Sequence, residues 1–333
     1  MKPQQIVGVV ATVIVWASLT PHLPTAAEPV AVMIASGLEG ASGSAMGPDG
    51  ALYVTEGAAG RIARIDPETG VRTTFASGLP PWVVGIGGAI DVAFIDDTAY
   101  ALVTLVGPDV GGGDTVGIYR IDGPNTSTVV ADIGTFAVQN PPATPFDVPT
   151  GLQFALEPYQ GGFLVTDGHH NRVLGATLDG EVHEVIGFDN TVPTGLARWG
   201  NVVYMAKAGP VPHAPEDGKV VAFTPRRPFV TPVASGAPLL VDVEFGAART
   251  LYALSQGEFP PGAPPAAPAL PNTGSLVKAD DLGTFTVVVP GLNQPTSFEL
   301  IGQRAYVVTL TGEVWKIDLR ERAGRASMLF ARP

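Results

Sequence analysis

The sequence predicts an all-β fold, a six-bladed β-propeller of four-stranded antiparallel blades, and three observations support this. First, the stretch 41–76 holds four short strand patterns separated by turn residues, which is the size of one propeller blade. Second, these patterns recur five more times along the chain. Third, the 333 residues include 41 Gly and 32 Pro, typical of turn-dense β structure, and no segment has a convincing helical period.

The first unit shows how each element is predicted. Pro48 and Gly50 supply the backbone angles of a tight turn after the first strand. The second strand is rich in β-branched and aromatic residues, and the third alternates polar and apolar residues, so one of its faces is buried. The four predicted strands are 44–46, 51–55, 61–66 and 71–76.

Further copies of the last three strands predict six blades in total. Second strands recur at 99–102, 163–166, 203–206, 251–254 and 306–309. Third strands recur at 118–122, 172–178, 219–224, 275–280 and 313–318. Fourth strands recur at 127–132, 181–186, 229–234, 285–289 and 326–331. One blade cannot bury both of its faces, so we expect the copies to stack into a closed ring.

Two segments compete for the outer strand of the last blade. Residues 30–35, followed by Ser36-Gly37-Leu38, copy the end of the first unit, whereas 327–330 lie at the C terminus. We favour the N-terminal segment, because pairing the two chain ends removes the exposed edges of an open ring.

The N terminus has the layout of a secretory signal peptide. Lys2 precedes an apolar run over 6–19 and the small residues Thr25-Ala26-Ala27. The run is short for a membrane-spanning helix, although an uncleaved anchor is the alternative. We expect a signal peptide at 1–27, a single propeller domain over 28–333, no stable membrane insertion after cleavage, and a secreted or periplasmic protein.

Composition narrows the functional classes. There is no Cys, which excludes disulfides, thiol nucleophiles and Cys-ligated metals. The net charge of −12 argues against electrostatic binding of nucleic acid or anionic lipid.

Insertions are predicted on one face of the disc, which we call the insertion face. They lie between second and third strands or between blades, and both connections emerge on the same side. The segments are 78–88, 107–115, 134–148, 209–218 and 256–274. The opposite face keeps tight turns. Long loops on a rigid scaffold often carry binding or catalysis, and neutral loop drift is the alternative. We expect the Pro-rich part of the last insertion, 259–271, to be extended.

The starts of the innermost strands supply the candidate channel residues. Aligning the blades makes Gly43, Asp91, Gly151, Gly195, Asp242 and Ser297 equivalent, and places the hydroxyl residues Ser42, Thr150, Thr194 and Thr296 one position earlier. Asp91 and Asp242 then lie in opposite blades. Two carboxylates facing one channel could hold Ca²⁺ or share a proton, or each could cap backbone amides at the start of a strand. Glu244 lies two positions after Asp242, and Glu299 lies two positions after Ser297. Their carboxylates either add negative charge to the channel or face the interface between blades.

A second concentration of chemical groups is His169 and His170, beside Asp167 and Asn171. Adjacent strand residues point to opposite faces, so the two histidines could bind one ligand only if the chain turns there. Asp167 is expected to bond backbone amides of the loop, and one histidine could act as a base or ligand. No nucleophile elbow and no phosphate-binding glycine loop is present.

The stretch GLEGASGSAMGPDGALYVTE, the Pro-Thr-Gly-Leu blade starts and the signal peptide together resemble the ScyD/ScyE-type family of exported six-bladed propellers. The family takes its name from the gene cluster for the pigment scytonemin, and the resemblance implies fold and export more than chemistry. Val165-Thr166-Asp167 with Asn171-Arg172-Val173 is also similar to NHL repeats, and the chain more distantly resembles SMP-30/gluconolactonase propellers.

The lactonase resemblance implies a divalent metal held by Glu, Asn and Asp at the channel ends of inner strands. The matching positions here are Ser42, Thr150 and Thr194, none of which is charged. The lactonase mechanism therefore loses its support. Two hypotheses remain. One is a binding or scaffold propeller that holds a small molecule or partner protein at the insertion face and channel mouth. The other is an enzyme at that mouth, a lactonase-like hydrolase, an isomerase or a quinone-type oxidoreductase.

Overall fold

The computed structural model describes residues 31–320. Within them, 24 strands form six four-stranded antiparallel sheets. This confirms the predicted six-bladed β-propeller. Each inner strand contacts the inner strands of the two adjacent blades, so the sheets surround one central axis.

The strand bounds follow the predicted repeat. Blade 1 contains β2 (Ala41–Met46), β3 (Leu52–Glu56), β4 (Arg61–Ile65) and β5 (Arg72–Ser77). Blade 2 contains β6 (Gly88–Ile95), β7 (Thr98–Thr104), β8 (Gly117–Gly123) and β9 (Thr126–Asp132). Blade 3 contains β10 (Gln153–Tyr159), β11 (Gly162–Asp167), β12 (Arg172–Ala176) and β13 (Val182–Gly187).

The second half repeats the pattern, and its last blade is completed by the first strand of the chain. Blade 4 contains β14 (Pro193–Trp199), β15 (Val202–Lys207), β16 (Lys219–Thr224) and β17 (Arg227–Ser235). Blade 5 contains β18 (Leu240–Phe245), β19 (Leu251–Ser255), β20 (Gly274–Ala279) and β21 (Phe285–Leu292). Blade 6 contains β22 (Pro295–Ile301), β23 (Arg304–Thr309), β24 (Val314–Asp318) and β1 (Ala31–Ala35).

The ring closes through β1, which pairs antiparallel with β24 from Ala31 opposite Ile317 to Ala35 opposite Val314. Ile34 and Ala35 also pack on the apolar cluster between blades 6 and 1. The predicted N-terminal closure is therefore confirmed. The competing segment 327–330 and the predicted signal peptide 1–27 lie outside the described residues.

Apolar clusters fill all six blade junctions. Tyr53 of blade 1 packs with Val92 and Val103 of blade 2, and Tyr306 of blade 6 packs with Leu52 of blade 1. The other four clusters have the same plan. Burial of apolar side chains between sheets is thus the main force that holds the blades in a ring.

Blade 3 corrects the predicted alignment of inner strands. Gln153 pairs with Asp167, at the position where Pro193 pairs with Lys207 in blade 4, and each inner strand then bulges. Ala155 is therefore equivalent to Gly195, and Thr150 and Gly151 precede the strand. The error arose because Pro149-Thr150-Gly151 copies the start of β14 in letters, while strand pairing sets the register four residues later.

Helices are few and short in residues 31–320. One α-helix, α1 (Ile133–Gln139), begins after Asp132, whose carboxylate accepts the Thr135 N–H at 2.8 Å. Two 3₁₀ turns occupy Pro108–Val110 and Ala247–Arg249. None of these helices is long and apolar enough to span a membrane.

The Pro-rich insertion of blade 5 is folded back, and the prediction that it is extended is wrong. The Ala263 N–H donates to Pro260 O at 3.1 Å and the Ala267 N–H to Pro264 O at 2.9 Å, so two turns follow each other. Phe259 packs edge-on against His213 of blade 4 at 5.1 Å between ring centroids. Insertions of adjacent blades therefore form a packed layer on this face.

Candidate functional site

Asp91 and Asp242 occupy matching positions at the channel, where each bonds the backbone of the following blade. Asp91 accepts the Val92 N–H at 2.9 Å and the Leu156 N–H at 2.7 Å. Asp242 accepts the Val243 N–H at 2.8 Å and the Phe298 N–H at 3.0 Å. In both residues each carboxylate oxygen accepts one amide. The structure therefore matches the capping alternative, in which each aspartate joins two inner strands.

Glycines of the preceding blades leave the space for these carboxylates. A Cβ on Gly43 would lie 2.2 Å from the Asp91 carboxylate, and a Cβ on Gly195 would lie 2.6 Å from that of Asp242. Neither contact is sterically possible, so only glycine fits. Blades 1 to 3 and blades 4 to 6 thus repeat the same device.

Five acidic side chains of the inner strands form the channel carboxylates, namely Asp91, Glu157, Asp242, Glu244 and Glu299. Burial among the inner strands raises the pKa of Asp242 and of Glu157 to about 7. Burial and neighbouring carboxylates raise the pKa of the other three well above their usual range. The charge of Asp242 acts on Asp91 in the opposite blade, so these groups share one central space.

The predicted channel hydroxyls serve mainly to link blades. The Thr194 hydroxyl donates to Leu240 O at 2.9 Å, and the Thr296 hydroxyl donates to Ser42 O at 2.8 Å. Thr150 lies outside the channel ring, where its hydroxyl donates to Asp109 at 2.8 Å. The alignment that placed Thr150 with the other three is therefore wrong.

Residues 31–320 contain no group of three or more His, Asp or Glu side chains arranged to hold a metal ion. The two aspartates direct their oxygens to separate backbone amides. The prediction that they share Ca²⁺ is thus without structural support, and it stays a prediction.

The two adjacent histidines lie on the same side of the chain, because the backbone turns after Gly168. Their rings are 5.7 Å apart. His169 Nε2 accepts the N–H groups of Asp147 and Val148 at 2.9 and 3.1 Å. Burial and His170 lower the pKa of His169, which is consistent with this accepting role. His170 Nε2 lies 2.9 Å from Val148 O, so both rings hold the same connecting segment.

Beneath the histidines lies a buried network centred on Asp167. The Arg172 Nε donates to Asp167 Oδ2 at 3.0 Å, and His170 Nδ1 lies 3.0 Å from the same oxygen. Gln153 donates to Asp167 Oδ1 at 3.2 Å. Asp167 is structural as expected, but its partners are side chains and not the loop amides that the sequence predicted. Blade 1 has the same device in Glu56 and Arg61, at 2.7 Å.

A pocket of about 490 Å³ opens beside this network on the insertion face. Three segments line it: 142–144, 170–172, and 184 with 187–189. Asn171 fixes its floor, because its Oδ1 accepts the N–H groups of Thr191 and Val192 at 2.8 and 2.9 Å. We call this the blade 3 pocket.

The rim of the blade 3 pocket presents two carboxylates and an aromatic side chain. Glu184 and Asp189 are exposed, and Phe188 contributes an aromatic wall. The Glu184 carboxylate lies 3.6 Å from Arg172 Nη1, which also donates to Asn140 O at 2.7 Å. The polar groups of the floor are therefore engaged. Glu184 is paired with Arg172 through Oε2, so the remaining hydrogen-bond capacity of the rim lies in its Oε1 and in the Asp189 carboxylate.

A second pocket of about 340 Å³ lies over blade 2, lined by 107–108, 113–116, Asp132, α1 and Thr150. The insertion face also exposes apolar side chains, including Trp82, Val83, Val84 and Phe146. Both pockets thus lie on the face that carries the insertions.

Two functional features escaped prediction from the sequence. Glu157 belongs with Glu244 and Glu299, but the four-residue misalignment of blade 3 hid it. The burial of Arg172 was not foreseen, although the matching Glu56 and Arg61 of blade 1 were a usable signal, since both pairs end the second strand and begin the third.

No protein-family model matches the sequence, and a search of curated proteins finds no match. Solved structures of similar fold include the gluconolactonase of Xanthomonas campestris, with 12% identity, TM-score 0.61, and coverage of 88% of this chain and 90% of that one. Virginiamycin B lyase from Staphylococcus aureus has 13% identity and TM-score 0.54, covering 88% and 99%. A putative glucose dehydrogenase from Thermus thermophilus has 17% identity and TM-score 0.56, covering 87% and 99%.

These similarities show the fold. The neighbours are SMP-30/gluconolactonase-like and virginiamycin B lyase propellers, and their identity to this chain is too low to transfer an activity. The resemblance to the ScyD/ScyE-type family stays a prediction.

Proposed function

We propose that this protein is a binding propeller that holds a small, hydroxyl-rich molecule in the blade 3 pocket. The observation that carries the proposal is the pairing of two exposed carboxylates with an aromatic wall above a floor fixed by hydrogen bonds. The Asp189 carboxylate and Oε1 of Glu184, the oxygen that Arg172 does not pair with, can accept hydrogen bonds from hydroxyl groups, and Phe188 can pack against the apolar side of a ring. The rigid floor lowers the entropy lost on binding.

We further propose that the protein belongs to the ScyD/ScyE-type propellers and acts outside the cytoplasm after loss of 1–27. Mass spectrometry of the protein from the extracellular or periplasmic fraction would test this. A mature chain that begins near Glu28 is expected, and an intact N terminus would contradict export by cleavage.

The binding function can be tested with a panel of neutral monosaccharides and polyols, using saturation-transfer NMR. Ala143 lines the pocket and is exposed, so Ala143→Trp should fill the opening with little effect on folding. Ala143→Ser is the matched control. We expect signals with the natural protein and the control and their loss in the Trp variant. Signals that survive in the Trp variant would place binding elsewhere.

A second candidate function is catalysis at the channel mouth. The observation that favours it is the gathering of five inner-strand carboxylates around one central space. Burial there raises the pKa of Glu157 and Asp242 to about 7, and groups that titrate near neutrality can act as general acids or bases. Hydrolysis of glucono-1,5-lactone, followed by acid release with and without divalent cations, is the test. Activity that Glu157→Gln abolishes would favour this candidate over binding alone.

A further inference from the structure

At the insertion face, the second and third strands of blade 4 carry two lysines that face each other. Lys207 ends β15 and lies directly opposite Lys219, which begins β16. The equivalent positions are Glu56 opposite Arg61 in blade 1 and Asp167 opposite Arg172 in blade 3. In those two blades a carboxylate neutralises the cation. In blade 4 a second cation takes the place of the carboxylate.

Neither lysine is neutralised by a neighbour. In residues 31–320, no carboxylate oxygen lies within 4.0 Å of either ammonium group. The negative charge of Asp217 acts on Lys207 from a longer distance. Lys207 Nζ lies 5.8 Å from the ring centroid of Phe188. Like charges that face each other across strands repel, so the arrangement favours an anion between them.

The loop between the two lysines is fixed, which holds the pair in place. The Gly209 N–H donates to Thr191 O at 3.0 Å, and His213 Nδ1 lies 2.8 Å from Gly209 O. Gly209 has φ of 79° and packs so closely on Asp217 that a Cβ there would lie 2.5 Å from the Asp217 Cβ. His213 is buried, and burial lowers its pKa. A bound anion would therefore meet a site that is already formed.

We propose that Lys207 and Lys219 form a binding site for the phosphate or carboxylate group of a small anionic ligand. The proposal deepens the proposed function and rests on it only for the choice of face. Lys207 Nζ lies 5.8 Å from the ring of Phe188, which also lines the blade 3 pocket, and Lys219 is the cross-strand neighbour of Lys207. Lysine ammonium groups bind phosphate as point charges and do not require bidentate geometry.

The test is the binding of inorganic phosphate, measured by calorimetry and by thermal unfolding at constant ionic strength with NaCl as the reference. Acetate in a second series tests the carboxylate alternative. The variants are Lys207→Met and Lys219→Met. Lys278→Met is the matched control, because Lys278 lies in β20 opposite Tyr252 and has no facing cation. At saturating phosphate we expect Tm to rise by about 3 °C in the natural protein and in the control.

Both lysine variants should lose at least nine tenths of the affinity for phosphate. Equal binding of phosphate by the natural protein and the two variants would overturn the proposal, as would the absence of detectable binding of both phosphate and acetate to the natural protein. Phosphate binding that Ala143→Trp abolishes and the lysine variants leave intact would assign the anion to the blade 3 pocket, and would contradict this inference while leaving the proposed function in place. Binding of polyols without binding of phosphate or acetate would also contradict this inference and leave the proposed function in place.

Discussion

Blades 3 and 4 are neighbours with the same strand plan, and they differ in the chemistry at one end of two strands. In blade 3 the cross-strand pair is Asp167 with Arg172, fully buried and bonded to His170 and Gln153. In blade 4 the same position holds Lys207 and Lys219, which are half-buried and have no carboxylate partner within 4.0 Å in the part of the chain that the structure describes. The same structural position thus holds a buried ion pair in blade 3 and two facing cations in blade 4.

The difference shows how a repeat fold can separate stability from binding. A buried ion pair is stable only when every oxygen and nitrogen finds a partner, and the Asp167 network meets this condition. Two half-buried lysines contribute little to stability, so the position is free to serve a ligand. The following predictions test this contrast, in order of decreasing effect.

Removal of the buried arginine is expected to have the largest effect. Arg172→Met leaves the Asp167 carboxylate buried with His170 as the remaining side chain beside its Oδ2, and should lower the free energy of unfolding by about 3 to 5 kcal/mol. Chemical denaturation measures this. The double variant Asp167→Asn with Arg172→Met should recover part of the loss, because no unpaired charge then remains. A cost below about 1 kcal/mol would show that the network does not stabilise blade 3.

The second prediction concerns the acid that joins the two blades in the channel. Glu157 of blade 3 accepts from Arg198 of blade 4 at 3.1 Å, and burial raises the pKa of Glu157 to about 7. The folded protein therefore binds a proton that the unfolded chain releases near pH 4.5. Stability from this group is fully present below about pH 4.5 and is lost as the pH rises through 7.

The size of this effect is about 3 kcal/mol, and other channel carboxylates with raised pKa values act in the same direction. Thermal unfolding between pH 4.5 and 8 would show a falling Tm in the natural protein and a flatter profile in Glu157→Gln. Identical profiles would mean that Glu157 ionises normally.

The third prediction converts blade 4 to the chemistry of blade 1. Lys207→Glu would face Lys219 as Glu56 faces Arg61, and should raise the free energy of unfolding by about 1 kcal/mol through a cross-strand ion pair. The same change should remove phosphate binding. Denaturant unfolding at low and high salt checks it, since the gain should shrink at high salt. Greater stability with undiminished phosphate binding would contradict the contrast.

The smallest effect is expected for Lys219→Met. Removing one of two facing cations relieves repulsion, so the free energy of unfolding should rise by about 0.5 kcal/mol or less. Measured beside Arg172→Met, it compares equivalent positions of the two blades. A loss above 1 kcal/mol would show that Lys219 has a structural partner.

The candidate site was less predictable than the fold, for reasons that particular residues show. Asp91 and Asp242 were recognised as an opposed pair, but their acceptance of the Leu156 and Phe298 amides depends on contacts between blades, which local sequence does not encode. Thr150 was misplaced because its motif matches that of Thr194 while strand pairing begins at Gln153. The lysine pair gave no signal, since the two residues are twelve positions apart and meet only across a hairpin.

The sequence by itself determined the six blades and their turns and favoured closure by the N-terminal strand, because period-two patterns and turn residues are local and recur in every copy. Only the tertiary structure decided which charged residues form ion pairs with one another and which do not. Asp167 and Arg172 form an ion pair, while Lys207 and Lys219 face each other with no carboxylate of residues 31–320 paired to them, since burial and electrostatic pairing depend on neighbours that the folded ring brings together.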